Sequence, residues 1–293
     1  MISVSDAFKK FKARLELTQR EQSDASRRQQ EVRSVLNNSF SIDKDFLTGS
    51  YARHTKTKPL KDVDIFCVLS ESESHHKEGA SAALLEDFRK ALADKYGEAN
   101  VSTVRRSVQV SFGNSDDEEK VMSIDAVPAF AEGAHYLIPD PQTASDWTAT
   151  DPTVHAAKAT ACNKAFNGEW VPLVKMLKKW NNFHDKPVKP SFLIEVMAIE
   201  LFCPPFSGGY IYEIKGFLAT AAQRITEAWA DPAGLGPPVS DQMDALKCQG
   251  AVKKFAECSR SIDKAIQYER TGRNGDALKV WRDEVFGPMF PLS

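Results

Sequence analysis

The sequence is short of cysteine: Cys67, Cys162, Cys203, Cys248 and Cys258 are scattered, odd in number and without C-x-x-C spacing. That excludes a disulfide frame and a cysteine zinc site, and it fits reduced thiols in a cytoplasm. No apolar run reaches the length of a membrane span. The N-terminal MISVSDAFKKFKARLEL has no signal-peptide core. Little chain follows Phe290, so no mobile C-terminal tail for conjugation is expected. Neither sign of charge prevails: 38 Lys and Arg stand against 40 Asp and Glu, a net charge of -2. Extensive nucleic-acid binding is therefore not expected, a local basic patch aside. There is no internal repeat. At 293 residues the chain suits one large or two medium domains with a real core.

What the sequence does have is one stretch rich in chemistry, LTGSYARHTKTKPLKDVDIFCVL, residues Leu47 to Leu69. Asp62 and Asp64 begin an apolar run that reads as a buried strand. Residues i and i+2 of a strand share a face, so the two carboxylates project together while Val63 and Ile65 face a core. Carboxylates about 5–7 Å apart repel, and a divalent cation removes the conflict. Mg²⁺ suits such a site, because it is held by one or two carboxylates plus substrate phosphates. Gly49 permits a tight bend after Thr48, and Ser50 adds a hydroxyl. Tyr51 to His54 is expected to form a short helical turn whose free N–H groups face an anion. Metal carboxylates beside phosphate donors suggest nucleotide chemistry.

Gly-Ser followed by a D-x-D strand resembles the polymerase-β-like nucleotidyltransferases. The resemblance implies a third Asp on a later strand, best matched by Asp125 in VMSIDAVPAF. Val121, Ser123, Asp125 and Val127 would share a strand face, with Pro128 ending regular pairing. The finer wording, GSYARHT, DVDIF and IDAVP, is similar to the cGAS/DncV-like nucleotidyltransferases (CD-NTases) of bacterial anti-phage signalling (CBASS). It runs from residue 47 to the closing VWRDEVFGPMFPLS. It implies an α+β fold: a polymerase-β-like nucleotidyltransferase core, with a mixed β-sheet flanked by helices, and a C-terminal all-helical lobe across a central cleft.

Residues 1–150 are expected to form the core, with one long N-terminal helix over 4–37. A solvated, charged face is expected on that helix from Arg20 to Arg33. His75 and His76 read as solvated loop histidines, without a carboxylate or cysteine at metal spacing. Ala80 to Tyr96 is an amphipathic helix stopped at Gly97, and Val104 to Phe112 a half-buried strand interrupted by Arg105 and Arg106, which are aimed at the cleft. Asn114 to Lys120 reads as an acidic turn, and Ala134 to Pro152 as an irregular connection. Residues 151–293 are expected to be an oligoadenylate-synthase-like helical domain, with PAGLGPP at 232–238 a plain linker.

Lys175 and Lys178 share a helix face, and Ser191 stands in the first turn of the next helix, where an anion is favoured. The resemblance implies that a lysine and a serine here grip the β- and γ-phosphates; Lys178 matches better than Lys175. Trp180 is expected in the core rather than on a base, and Trp147 and Tyr210 are left open.

The expected function is a metal-dependent nucleotidyltransferase that joins NTPs into a cyclic di- or trinucleotide second messenger, with release of pyrophosphate. Asp62, Asp64 and Asp125 would hold two Mg²⁺ ions, with Mn²⁺ a substitute, while Gly49, Ser50, Lys178, Ser191 and Lys175 would bind the nucleotide. The substrates would be ATP, GTP, UTP or CTP, and a downstream effector would recognise the product rather than this chain. A ring is implied by the resemblance; the spacing shows nucleotidyl transfer. A linear 2′-5′ oligonucleotide synthase or a tRNA CCA-adding enzyme would share the three Asps. A catalytically degenerate nucleotide-binding protein is the non-enzyme alternative.

Overall fold

The structure is a computed structural model describing residues 2–113 and 123–293; the acidic turn expected at 114–120 and the expected strand residue Val121 lie outside the described residues. The single helix expected over residues 4–37 is two helices, α1 (Val4–Arg14) and α2 (Gln19–Ser39). Thr18 caps α2: its hydroxyl accepts the Glu21 N–H at 3.1 Å, and the Glu21 carboxylate accepts the Thr18 N–H at 2.8 Å. This capping box starts a new helix where the apolar stripe alone suggested continuation. The second Glu21 oxygen accepts the Leu60 N–H at 2.8 Å, and both residues are fully buried. A helix cap thus fixes the segment that leads into the acid-bearing strand.

The chain forms two units, each with its own core. The first comprises Leu17–Ala156 and Ala233–Gly236, so part of the expected linker belongs to it. Its sheet has seven strands among the described residues: β1 (Ile42–Thr48), β2 (Asp62–Leu69), β3 (Val101–Val104), β4 (Ser107–Ser111), β5 (Ser123–Glu132), β6 (His135–Pro139) and β7 (Trp147–Thr150). The order is β1-β2-β5-β4-β3, and β6 pairs with β5 and β7. Only the β2–β5 pairing is parallel among these. Val63, Ile65 and Cys67 of β2 face a core built with Val32 and Leu36 of α2 and with Leu84, Leu85, Phe88 and Leu92 of a later helix, Ser81–Tyr96. The opposite strand face carries Asp62 and Asp64, then Phe66 and Val68 in a smaller apolar cluster with Ala129 and Ile138.

Three expectations in this unit are corrected. Pro128 does not end β5: it pairs with Cys67, and pairing continues to Phe130. On the other edge β4 pairs β5 up to Ala126 and β6 from Phe130. Ser123 gives its N–H to the β2 side, so Pro128, five residues on, has its missing N–H on the opposite edge, in that gap, where no ladder bond is lost. Val104 to Phe112 is not one strand but follows the turn of a hairpin, with Arg105 and Arg106 between β3 and β4. Both arginines bind the fully buried Asp140, at 2.8 and 2.9 Å from Arg105 and 2.8 Å from Arg106. The irregular connection expected at 134–152 contains β6 and β7.

The second unit takes the residues up to Glu16, Ala157–Pro232 and Pro237–Ser293. After α3 (Gly49–Ala52) and α4 (Ser81–Tyr96) of the first unit, the helices run α5 (Pro152–Ala165), α6 (Trp170–Phe183), α7 (Phe192–Leu201), α8 (Tyr210–Arg224), α9 (Ala245–Arg270) and α10 (Asn274–Val280). A π-helical turn, Trp281–Phe286, follows α10. α1 belongs here because Phe8 and Phe11 pack on the closing segment, with ring centroids 4.9 Å (Phe8–Trp281) and 4.7 Å (Phe11–Phe286) apart. Trp180 is buried and stacks on Phe255. No helix among the described residues is long and apolar enough to cross a membrane.

Replacing Glu21 with Ala leaves two N–H groups without their acceptor, that of Thr18 at the cap and that of buried Leu60. A loss of about 2–3 kcal/mol is expected. Exposed Gln30→Ala on the same helix should stay within about 0.5 kcal/mol of wild type. Urea unfolding followed by circular dichroism makes the comparison, and equal midpoints for the two variants would refute this role of Glu21.

Candidate active site

The sheet register assembles the site. Asp64 of β2 stands opposite Asp125 of β5, and Asp62 opposite Ser123. Paired residues of neighbouring strands lie on one face, about 4.8 Å apart across the ladder. Asp62, Asp64 and Asp125 therefore converge, as the sequence reading expected, at the start of β2. Burial, and then the Asp64 and Asp62 charges, push the Asp125 carboxyl up to about 7, although a hydrogen bond from Gln109 works against the rise.

Gln109 was missed at the sequence level. It lies on β4 opposite Asp125 and donates its side-chain N–H to Asp125 Oδ1 at 3.0 Å. Only the pairing of β4 with β5 reveals it, since nothing in the local sequence marks it.

Gly49 closes the other side. Thr48 pairs with Asp64 at the end of β1, and the chain then turns into α3. Gly49 has φ +63°, and a Cβ there would stand 1.8 Å from Asp64 Oδ2. Both facts demand glycine: the left-handed conformation, and a carboxylate lying against the bare backbone. Ser50 follows in a four-residue helical turn. Its carbonyl accepts the Thr55 N–H at 3.0 Å and the Lys56 N–H at 3.1 Å, which folds the loop back beneath it. Lys56, also missed, pairs through its ammonium with Asp62 Oδ1 at 2.5 Å.

Lys175, Lys178 and Ser191 lie in the helical unit. Lys178 is no solvated helix charge: its ammonium pairs with Glu195 Oε1 at 2.6 Å, and both side chains are buried. Lys175 is also buried and pairs with Glu16 Oε2 at 2.7 Å. Ser191 is the exposed N-cap residue of α7, and its hydroxyl makes no cap hydrogen bond.

Of the aromatic residues considered for base stacking, Trp180 is in the core, Trp147 packs edge-on against Phe130, and the Tyr210 hydroxyl donates to Glu169. His75 and His76 sit in a 3₁₀ segment, Glu71–Lys77. The sequence reading gave them no carboxylate partner, yet Glu73 brings a ligand atom within 4.8 Å of theirs. The three stand beyond the C-terminal end of β2, the opposite end from Asp62, and take no part in this site.

Residues 2–163 match the family described as the Second Messenger Oligonucleotide or Dinucleotide Synthetase domain. A probable cyclic nucleotide synthase of Bacillus cereus (strain VD146) is 27% identical over 272 residues, covering 83% of this chain and 81% of that protein. A cyclic AMP-AMP-AMP synthase of an Acinetobacter species is 26% identical over 266 residues, covering 85% and 73%. The solved structure of CdnC from E. coli MS115-1 with ATP shares the fold at TM-score 0.72, with 17% identity and 99% of each chain covered. With a mixed sheet flanked by helices and with the D-x-D strand opposite a third in-register Asp, the chain belongs to the Second Messenger Oligonucleotide or Dinucleotide Synthetase family, the CD-NTase nucleotidyltransferases.

Proposed function

We propose that this chain joins NTPs into a cyclic di- or trinucleotide second messenger in anti-phage defence, releasing pyrophosphate. The observation that carries the reading is the register of Asp62 and Asp64 against Asp125, with Gly49 folded onto Asp64. In the reaction an acceptor ribose hydroxyl attacks the α-phosphorus of a donor NTP, and the bond to the β-phosphate breaks. Of the relatives named above, one is named a cyclic AMP-AMP-AMP synthase and one a probable cyclic nucleotide synthase, and the E. coli CdnC structure contains ATP. The product, rather than this chain, would then meet an effector protein. A net charge of -2 disfavours the tRNA-processing alternative.

The three carboxylates fit divalent cations. They are hard oxygen donors on one face, and burial, then the charges of Asp64 and Asp62, push the Asp125 carboxyl up to about 7. Asp62 and Asp64 would hold two Mg²⁺ or Mn²⁺ ions, with Asp125 completing the site nearer the acceptor. Such ions, when bound, activate the acceptor hydroxyl and neutralise the leaving pyrophosphate. Gly49 lets the backbone approach, Ser50 offers its hydroxyl to the donor phosphates, and Gln109 holds the Asp125 carboxylate in one orientation. Lys178, Lys175 and Ser191 are proposed as further phosphate contacts on the family resemblance.

Asp62→Ala and Asp64→Ala should each lower product formation by at least about 100-fold at normal Mg²⁺ with the fold intact, and Asp125→Asn should be similarly impaired. NTPs incubated with each variant and resolved by mass spectrometry test this, and retained turnover in either β2 variant removes the metal assignment.

Product topology gives a separate test. A ring has no terminal phosphate, so the main product should survive phosphatase treatment. Conversion of most of it by phosphatase would instead support a linear oligonucleotide.

The raised Asp125 pKa also makes a stability prediction. The folded carboxyl titrates near 7 and the unfolded one near 3.9. Between those values the folded state binds more protons, so stability falls as pH rises and levels off above about 7. The fall should be on the order of 2–4 kcal/mol. Thermal unfolding in a chelator from pH 4 to 8 should show it in the wild type and not in Asp125→Asn. The same slope in both proteins would place the titrating group elsewhere.

A further inference from the structure

Lys56 has no role in the nucleotidyl transfer described above, yet it lies inside the site. Its ammonium pairs with Asp62 at 2.5 Å, and its side chain is 16% exposed against 39% for Asp62. Its backbone N–H is tied to the Ser50 carbonyl at 3.1 Å. One residue therefore joins both halves of the site, with its main chain beneath the proposed phosphate-binding turn and its charge on a proposed metal ligand.

We propose that Lys56 is a positioning residue that acts as an internal counter-ion for Asp62, and that it makes the site favour a metal–nucleotide complex over the bare metal. The inference rests on Asp62 being a metal ligand. An ammonium bonded to a carboxylate competes with any cation for the same oxygen. A partly exposed pair of this kind is weak, at most about fivefold in an equilibrium constant, so a divalent ion can displace it at small cost. With a bare ion, the displaced ammonium loses its partner and faces an added positive charge. With a metal-bound nucleotide it gains one, because the anchored main chain keeps the flexible lysine stem beside the incoming phosphates. Metal and nucleotide are thereby coupled: each lowers the cost of binding the other, reciprocally. Lys61 provides the internal comparison, since it adjoins Asp62 in sequence but its side chain is exposed, while its carbonyl accepts from Ser123.

The test is a Mn²⁺ titration of the full chain by electron paramagnetic resonance, with and without a non-hydrolysable ATP analogue. Without nucleotide, Lys56→Met should bind Mn²⁺ about three- to fivefold more tightly than wild type. Lys56→Arg keeps the charge and should stay within about twofold. Lys61→Met removes an equal charge nearby and should also stay within about twofold, since an exposed charge is screened. With the analogue present, the advantage of Lys56→Met should vanish. Wild-type Mn²⁺ affinity in Lys56→Met overturns the proposal, as does equal tightening in Lys61→Met, which would reduce the effect to net charge. Asp62→Asn separates the two readings. If it binds Mn²⁺ like wild type, the metal assignment of Asp62 fails and this inference with it. If it binds weakly while Lys56→Met is unchanged, only the lysine's role fails.

Discussion

The structure depends on a conflict of like charges held in place by sheet register. Two carboxylates of β2 and one of β5 share a face, and parallel pairing puts Asp64 directly opposite Asp125. Left to themselves these groups would separate or protonate; burial first, and then the Asp64 and Asp62 charges, raise the Asp125 carboxyl to about 7. They stay together because the strands that carry them are fixed by something stronger. Val63 and Ile65 on β2, and Ile124 and Ala126 on β5, are fully buried in the core beneath the sheet. A slip of one residue would turn the carboxylates into that core and the apolar residues out. The hydrophobic pattern on one face therefore enforces the electrostatic strain on the other.

The residues around the cluster each relieve part of the strain without dispersing it. Gln109 reaches from β4 to give Asp125 a donor. Lys56 gives Asp62 a cation. Gly49 leaves room for the Asp64 carboxylate where any side chain would collide with it. Glu21 acts from further away, since its carboxylate closes the cap of α2 and takes the Leu60 N–H, two residues before Asp62. The start of β2 is thus tied to a helix terminus rather than left to a free loop. The proposed cation site gains from being rigid in advance, because ligands that must be gathered cost conformational entropy at each binding.

The carboxylates were legible in the sequence because a period of two is a local property. D-x-D at the head of an apolar run fixes a shared face without knowledge of the rest of the fold. Asp125 was legible only through family wording, and its register against Asp64 is a long-range fact that no local pattern carries. Gln109 lacked any signal for the same reason. The break at Leu15 to Thr18 did leave a trace: Thr18-x-x-Glu21 is a capping box in plain sequence, outweighed by the charged helical run around it. The hairpin turn at Arg105 and Arg106 was hidden because it has no Gly, Asn or Pro and is held by distant Asp140. The buried pairing of Lys178 with Glu195 was likewise invisible, since lysines on an amphipathic helix read as solvated until the facing helix is known.

β5 shows why the extra strands escaped notice and why they matter. A proline inside an apolar run argues for the end of a strand, and that rule holds for a strand with one continuous partner on each edge. β5 changes partners instead, from β4 to β6, and Pro128 occupies the gap. The strand can then continue to Glu132 and recruit β6 and β7. Its far half joins Phe66 and Val68 in the small apolar cluster on the same face as the carboxylates. That face is thus charged at one end and apolar at the other, and the apolar end anchors the two acid-bearing strands against each other. Burial near the C-terminal ends of β2 and β5 resists the repulsion at their beginnings. The proline that looked like a terminator marks the point where the strand passes from carrying the Asp125 carboxylate to holding it in register.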